Sequence, residues 1–301
     1  MYWMQAAMQL FRLYEGTANR TTIPNLSKAR LSAFQVPVPP LREQRAIAHV
    51  LSRIQAAAQT QAAIAERARE LKRALMARLF TEGLRGEPLK ETEIGPMPES
   101  WEIAELGQLA DIVYGAQAAV AHATDPSIGT PIFTNVNITN DGQLDLQLLR
   151  FYKIPKDRRD RLILQKGDIL FNWRSGSQDH VGKTALFDLD GEYTFSSFIL
   201  RFRKFGPVSN DFLYRQLQHL KSQGFFARNR QQSSVNSVFN SSVAAKIPIA
   251  VPSDMEQREI TRALQAIDAK IISADRKQGR LEELFRAMLG QLMTGRIRAR
   301  E

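Results

Sequence analysis

The segment PVPPLREQRAI (residues 37–47) decides how this chain is organised, because the chain contains it twice. The second copy, AVPSDMEQREI (residues 250–260), lies 213 positions further along. The same offset continues without a gap as far as Arg85 and Arg298, which are also identical. A repeat defines the architecture of a chain and is best interpreted before other features. Here two equivalent segments flank one block that is not repeated.

The two repeated segments predict two long helices. From Leu41 to Leu84 apolar residues recur every three or four positions, and Pro40 stands just before the start. The second segment carries apolar residues at matching positions from Ile260 to Leu292. This spacing, sustained over several heptads, is typical of a coiled coil. We expect an antiparallel pair, because the block between them must connect the end of one helix to the start of the other. Ordinary core packing of each stripe is the alternative.

The block between the repeats predicts a mixed α+β domain. Gly83, Gly86 and Pro88 are typical stop signals after the first helix. Strands are predicted at residues 130–136, 161–164, 168–173, 184–189, 194–203 and 247–251, and a helix at 212–222. The predicted fold class is therefore α+β, with a mixed α/β domain flanked by two long helices that form an antiparallel coiled coil.

Residues 1–40 resemble the end of this block. Tyr2-Trp3 corresponds to Leu213-Tyr214, and the polar segment at 21–27 corresponds to that at 233–238. Both comparisons are nearly in register with the stronger repeat. We therefore expect residues 1–40 to be the C-terminal remnant of a second copy of the block, most of which would be absent upstream.

Composition excludes several kinds of chemistry. The chain has no cysteine, so disulfides, thiolate catalysis and cysteine-based zinc sites are ruled out. Its four histidines are scattered without ligand spacing, so we expect no dedicated metal site. No apolar run reaches the ~18 residues that a membrane span requires. These features predict a soluble cytoplasmic protein that does not engage a membrane.

The distribution of charge points to a polyanionic partner. The chain has a formal net charge of +10. Residues 87–149 are acidic, at −9, whereas residues 150–183 and 201–230 carry +5 and +6. Basic proteins of this kind often bind nucleic acid. The alternative is ordinary solvated surface charge.

No catalytic motif withstands inspection. The segment from Gly176 to Thr184 looks like a phosphate-binding loop, but five residues rather than four separate Gly176 from Gly182, and a strand rather than a helix is predicted to follow. A methyltransferase cofactor loop and a nuclease carboxylate pattern are also missing. We expect a protein without catalytic residues and without a cofactor of its own.

Three polar loops are better candidates, as DNA-binding elements. Arginine can bind guanine in a bidentate manner, and asparagine or glutamine can bind adenine, while lysine and serine contact phosphates. Each loop taken singly is equally well explained as solvated surface. The candidate DNA-binding residues are Lys156, Arg158, Arg159, Arg174, Ser175, Ser177, Gln178, Arg228, Arg230, Gln231, Gln232 and Asn236.

The repeated Pro-Leu-x-Glu-Gln type of segment, together with Ile94-Gly95, Pro98 and Trp101, and with Lys166-Gly167-Asp168-Ile169-Leu170, resembles the specificity subunit of type I restriction–modification systems. The resemblance implies a non-catalytic DNA reader. In that family two target recognition domains each read half of a split site. Two conserved helices set the spacing and dock DNA methyltransferase subunits. A restriction/translocase subunit is a further implied partner, and the methyl donor, ATP and magnesium would belong to the partner subunits.

The resemblance assigns a role to each part of the chain. Residues 1–40 would be the remnant of a first target recognition domain, 41–86 the central conserved coiled-coil helix, 87–253 a complete target recognition domain, and 254–301 the distal conserved coiled-coil helix. The chain would thus contain one complete recognition domain where the family has two. Two hypotheses can account for this difference. Two copies pair as a homodimer that reads a palindromic interrupted site, or the chain is a fragment of a disrupted gene.

Two other functions stay open. One is the recognition subunit of another methyltransferase-linked defence system. The other is a coiled-coil scaffold whose globular block binds protein and not DNA.

Overall fold

A computed structural model describes residues 38–117, 126–127, 129–147, 149–175, 180–229, 231–232 and 237–299. At residues 175, 231–232 and 237–238 only the backbone is described. The expectation for residues 1–40 therefore falls almost wholly outside the described residues. Two compact units divide the chain: the first comprises residues 1–72 and 266–301, and the second residues 73–265.

Helices and strands are numbered in chain order. The helices are α1 (Leu41–Glu82), α2 (Leu106–Leu109), α3 (Arg159–Leu162), α4 (Asn210–Ser222), α5 (Phe225–Arg228), α6 (Ser241–Ala245) and α7 (Asp254–Met293), with short 3-10 turns at Asn135–Asn137 and Lys156–Arg158. The strands are β1 (Leu89–Lys90), β2 (Met97–Pro98), β3 (Glu102–Glu105), β4 (Ala110–Tyr114), β5 (Thr130–Phe133), β6 (Arg150–Tyr152), β7 (Ile169–Asn172), β8 (Arg174–Ser175), β9 (Thr184–Leu186), β10 (Thr194–Phe195), β11 (Ile199–Lys204), β12 (Gln231–Gln232), β13 (Ser237–Val238) and β14 (Pro248–Val251).

The first unit is an antiparallel pair formed by the long helices α1 and α7. Near the start of α1, Ile47 and Leu51 pack against Leu289 and Leu292, which lie near the end of α7. Further along α1, the Lys72 ammonium lies 2.7 Å from Asp268, close to the start of α7. The start of α1 therefore lies against the end of α7, and later residues of α1 lie against the start of α7, so the two helices are antiparallel. The predicted fold class, with its antiparallel coiled coil, is confirmed.

The second unit repeats the same apolar packing. Its core contains Met76, Leu79, Ile260 and Leu264. Each of these positions differs by 213 from one member of the cluster in the first unit. The sequence repeat is thus also a repeat of buried contacts, which explains why the apolar positions of the two segments match.

An antiparallel four-stranded sheet, in the order β4-β11-β7-β9, forms the centre of the second unit. All four residues of β7 are buried, as a strand covered on both faces requires. A smaller sheet, β10-β5-β6, carries a separate apolar cluster around Phe133, Phe187 and Phe195. Strands β3 and β14 pair antiparallel and so bring the two ends of the block together next to the start of α7.

Two of the strand predictions need correction. Residues 159–162 form a helical turn, so the predicted strand at 161–164 is wrong. Arg201 and Arg203 hold this segment by donating to the backbone carbonyls of Arg161 and Ile163, at 3.2 and 3.1 Å. The run at 194–203 is two strands, because the amide of Ser196 bonds to Phe133 in the smaller sheet before β11 begins in the central one.

Within the part of the chain that the structure describes, no helix is long and apolar enough to cross a membrane. The same described residues contain no group of His, Asp and Glu side chains arranged to hold a metal ion.

A buried histidine in the second unit makes the stability of the chain depend on pH. The ring of His219 stacks on Phe80, with the centroids 5.3 Å apart. Burial lowers the pKa of His219 to about 4, from an ordinary value of 6.5. Because the neutral form is the one that fits the core, the stabilisation is complete above pH 6.5 and is lost as the pH falls towards 4.

We expect the wild-type chain to lose about 2 kcal/mol more unfolding free energy between pH 7.5 and pH 5 than the His219→Leu variant loses. Urea denaturation at the two pH values measures this difference. The exposed His49 provides the matched control, and His49→Gln should follow the wild-type curve. Equal pH dependence in wild type and His219→Leu would contradict the assignment.

Candidate nucleic-acid interface

A small three-stranded sheet brings two of the three predicted DNA-binding loops together. Strand β13 lies in the middle and pairs with β8 on one side and β12 on the other. Arg174 is opposite Val238, and Ser175 is opposite Ser237. Gln231 and Gln232 are paired with the same two residues of β13 from the other side. The structure therefore places the backbones of candidates that are more than fifty positions apart in sequence in one small sheet.

Trp173 fixes this small sheet to the end of the central one. Its indole Nε1 donates to the carbonyl of Ser197 at 2.7 Å, and its ring meets Tyr114 edge to face at 5.1 Å. The amide of Phe239, just after β13, donates to the Trp173 carbonyl at 2.9 Å. These contacts hold β8 and β13 rigidly where β7 ends.

Arg174 is held in a defined orientation. Its guanidinium carbon lies 5.8 Å from the ring centroid of Phe198, within the range of a cation–π contact. Its Nε is buried and has no acceptor among the described residues. An arginine whose guanidinium is held by stacking loses little freedom when its terminal nitrogens bind a planar acceptor. Arg174 is therefore arranged as a ready hydrogen-bonding fork.

Other polar groups lie close to Arg174 in the sequence or in the sheet. Asn172 is the last residue of β7, and Ser196 stands before β11; Oδ1 of Asn172 and Oγ of Ser196 are buried without a partner among the described residues. Lys183 is also buried, and desolvation lowers its pKa. Buried polar groups are normally hydrogen-bonded. This end of the central sheet thus has unused hydrogen-bonding capacity.

Arg228 lies on α5, shortly before β12. Its Nη1 donates to the carbonyl of Gln223 at 2.6 Å, while the side chain stays exposed. Gly224, which precedes α5, has a φ of 71° and so allows the chain to turn sharply there. The turn directs the chain from α4 towards the small sheet.

The structure does not bring the third group of candidates, at residues 156–159, to the small sheet. Lys156, Arg158 and Arg159 are exposed, and Arg159 forms an ion pair with Glu192. The segment that follows is held by Arg201, which is opposite Leu170 near the start of β7. Arg174 lies beyond the other end of that strand. The remaining candidates, Ser177, Gln178, Arg230 and Asn236, lie outside the described residues.

The described part of the segment that resembles a phosphate-binding loop, residues 180–184, packs against the core. Gly182 has a φ of 84°, and a Cβ there would lie 2.3 Å from the ring of Phe226. Thr184 begins strand β9 rather than a helix. Among the described residues that follow, a strand and not a helix begins, so no helix N-terminus is available there to bind phosphate. The prediction that the segment runs into a strand is confirmed.

Sequence reasoning missed three residues of this surface. Trp173, Phe198 and Lys183 hold or border the candidate interface, but none of them was a candidate. Trp173 directly precedes the candidate Arg174 in the sequence, so an aromatic anchor next to this candidate could have been recognised. The partnership of Arg174 with Phe198 and the burial of Lys183 depend on strand pairing, which a single sequence does not display.

Comparison with known proteins places the chain in a family. The family model described as "Type I restriction modification DNA specificity domain" matches residues 4–68 and 98–283, which is most of the chain. This chain belongs to that specificity family. The two matched ranges include most of the first long helix, the intervening block and much of the second long helix.

Several curated specificity subunits are similar to this chain. The type I restriction enzyme MjaVIII specificity subunit of Methanocaldococcus jannaschii is 25% identical over 291 residues, which cover 93% of this chain and 66% of that protein. The type I restriction enzyme StySPI specificity subunit of Salmonella potsdam is 26% identical over 198 residues, covering 63% of this chain and 40% of the relative. These names support the prediction that the chain is not itself an enzyme. The chain spans between two fifths and two thirds of the length of these relatives.

Solved structures show the same fold. A type I restriction–modification S subunit from M. genitalium superposes with a TM-score of 0.61 at 16% identity, covering 97% of this chain and 71% of that one. A chain from a study of complex assembly and conformational transition of the type I R-M system gives a TM-score of 0.60 at 18% identity, covering 95% and 67%.

Proposed function

We propose that this chain is the DNA-recognition subunit of a type I restriction–modification complex. The observation that carries the proposal is the small sheet β8-β13-β12, in which Arg174, stacked on Phe198, and the backbones of Gln231 and Gln232 lie on the two sides of the same strand, β13. In this proposal residues 87–253 are the target recognition domain. Residues 41–86 and 254–301 are the conserved helices, and residues 1–40 are the remnant of a first recognition domain.

The roles of the candidate residues follow from their surroundings. The Arg174 fork is suited to donate hydrogen bonds to guanine O6 and N7 in the major groove, because its guanidinium stacks on Phe198 and its Nε lacks an acceptor among the described residues. Gln231, Gln232 and the loop residues outside the described part would add base contacts. Lys156, Arg158 and Arg228 are exposed and suit phosphate contacts, which position the duplex without reading its sequence.

The partners and the assembly belong to the same proposal. DNA methyltransferase subunits would dock on the chain and supply catalysis and the methyl donor, a restriction/translocase subunit would join them, and the complex would act in the cytoplasm. Two copies of the chain would pair to read a palindromic interrupted site. Mapping modified adenines genome-wide with and without the gene tests this: a palindromic motif should lose methylation. An asymmetric bipartite motif would point instead to pairing with another specificity subunit.

Replacing Arg174 with alanine should relax recognition at one base pair of the site. A bidentate arginine–guanine pair contributes about 1–3 kcal/mol of discrimination, so target binding should weaken while binding to random DNA changes little. Arg158→Ala is the matched control: loss of a phosphate contact should weaken target and random DNA alike and reduce the salt slope by about one. Anisotropy titrations of the assembled complex at several salt concentrations separate the two.

The alternative function, a coiled-coil scaffold, predicts the opposite result. If the block binds protein and not DNA, the assembled complex should show no site preference, and neither variant should alter its salt dependence. If Arg174→Ala lost the same affinity for target and random DNA, Arg174 would not be reading a base. The proposal that the chain binds DNA would still stand.

A further inference from the structure

Phe198 lies at a position where turns seldom carry an aromatic residue. Ser197 and Phe198 form the turn that leads into β11, and the amide of Ile199 closes it by donating to the Ser196 carbonyl at 2.9 Å. Turns favour glycine, proline, asparagine, aspartate and serine. Phe198 is 39% exposed, whereas most of the described phenylalanines are buried. Neither turn formation nor core packing accounts for an aromatic ring here.

The backbone of this turn is tied to the residue that precedes Arg174. The carbonyl of Phe198 accepts from the amide of Trp173 at 3.3 Å, next to the bond from the Trp173 indole to Ser197. On the other side, the amide of Ser197 donates to the carbonyl of Ala116 at 2.8 Å. Phe198 and Arg174 are therefore held in place together.

The contact with Arg174 does not use up the surface of Phe198. The guanidinium lies over the ring, and more than a third of Phe198 is still open to solvent. A single exposed apolar residue needs no explanation of its own. An exposed ring that touches an arginine suited to bind guanine is different, because DNA bound by that arginine would pass next to the ring.

The stacking geometry indicates which base pair the ring would meet. A guanidinium that donates two parallel hydrogen bonds to guanine O6 and N7 lies in the plane of that base. A ring stacked on the guanidinium is therefore displaced from this plane along the axis of the duplex. Successive bases are about 3.4 Å apart, and the guanidinium carbon of Arg174 is 5.8 Å from the centroid of the Phe198 ring. The near side of the ring thus comes level with the base pair next to the guanine.

One group on the edge of that neighbouring base pair suits an apolar ring. The ring nitrogens, carbonyl oxygens and amino groups exposed in the major groove would lose hydrogen bonds to water against a phenyl ring and gain none in return. The C5 methyl of thymine is apolar and would gain from the contact. The same methyl occurs on 5-methylcytosine, so these two bases share the chemistry that the ring can recognise.

We propose that Phe198 is a specificity-determining residue whose ring contacts the C5 methyl of a thymine, on either strand, in the base pair next to the guanine bound by Arg174. This inference rests on the proposed function and extends it by one base pair. Arg174 and Phe198 then read a two-base step together. The arginine donates hydrogen bonds to the guanine, and the phenylalanine covers the methyl group.

The test uses the assembled complex and duplexes that differ by one methyl group. The methylation map gives the motif, and Arg174→Ala identifies the guanine as the position where discrimination is relaxed. Replacing the neighbouring thymine with deoxyuridine should weaken wild-type binding about fourfold, the effect of one buried methyl group. 5-Methylcytosine at the same position should bind more tightly than cytosine. It should bind less tightly than thymine, because its amino group would lie against the ring.

Phe198→Ala should bind the thymine and deoxyuridine duplexes equally. Phe205→Ala is the matched control, because Phe205 is also an exposed phenylalanine, at 65%, but follows the opposite end of β11. This control should keep the fourfold preference for thymine.

A role of Phe198 in holding Arg174 alone gives a different result. In that case the wild type would already bind thymine and deoxyuridine duplexes equally, and Phe198→Ala would lose only the discrimination for guanine. That result, or a motif with no thymine in either base pair beside the guanine, would overturn the proposal. A wild-type complex that prefers no DNA site at all would instead refute the proposed function.

Discussion

Replacing Asp168 with asparagine should lower the free energy of unfolding by about 3–5 kcal/mol, because removing one partner of a buried ion pair leaves the other charge uncompensated. Asp168 is 1% exposed. Its two carboxylate oxygens accept from Nε and Nη2 of Arg203, both at 2.7 Å. Asparagine keeps the shape of the side chain but can neither accept both bonds nor balance the guanidinium.

The surroundings of Asp168 make this pair hard to replace. Its Oδ2 also accepts from the backbone amide of Gln165 at 2.8 Å, which closes the turn before β7. Its hydrogen bond raises the pKa of Arg203, whereas burial lowers the pKa of the neighbouring Arg201. Arg201 has its own ion pair with Asp111, so loss of the Asp168 charge would chiefly leave the Arg203 guanidinium unbalanced.

Chemical denaturation monitored by tryptophan fluorescence measures the loss. The matched control is Asp190→Asn, because Asp190 also pairs with a basic residue, Lys166 at 2.7 Å, but is 96% exposed. An exposed pair of this kind contributes little, so the midpoint should stay where it is in wild type. Similar midpoints for Asp168→Asn and wild type would show that the pair does not hold β7 in place.

The long helices could be predicted because their signal is periodic and repeated. Ile47 and Leu51 recur as Ile260 and Leu264, and all four are buried. The strand of residues 169–172 was also readable, since it is a short apolar run after a Gly-Asp turn. In both cases the local pattern and the final environment agree, which is the condition under which sequence reasoning succeeds.

The segment at 161–164 could not be read in the same way. Leu162 and Leu164 alternate with other residues as in a strand, and both are buried. What decides their conformation is the pair of arginines on β11 that bind the carbonyls of Arg161 and Ile163, forty residues away in the chain. The position of the basic residues at 156–159 depends on the same contacts. Their separation from Arg174 was therefore not predictable either.

The second large effect is expected at Glu256, the glutamate of the repeated segment. Its Oε1 accepts from the amide of Leu84 at 3.0 Å, and its Oε2 from the indole Nε1 of Trp101 at 3.2 Å. Both Glu256 and Trp101 are almost fully buried, at 1% and 0% exposure. The glutamate thus ties the start of α7 to the end of α1 and to the segment that opens the intervening block.

Glu256→Ala should lower the free energy of unfolding by about 3–5 kcal/mol, because hydrogen bonds to a charged group contribute about 1.5–3 kcal/mol each and the buried indole N–H would lose its acceptor. Equilibrium urea unfolding gives the value. Trp101 emission should also shift to longer wavelength, as water reaches the ring.

The repeat supplies the control for this prediction. Glu43 is the equivalent of Glu256, and the next residue makes the same bond in each copy: Gln44 donates to the Pro39 carbonyl at 2.7 Å, and Gln257 to that of Pro252 at 3.0 Å. Glu43 itself is only half-buried and has no hydrogen bond among the described residues. Glu43→Ala should therefore change stability by no more than about 0.5 kcal/mol. Equal losses in the two variants would mean that the helix start, and not the bonds to Leu84 and Trp101, accounts for the role of this glutamate.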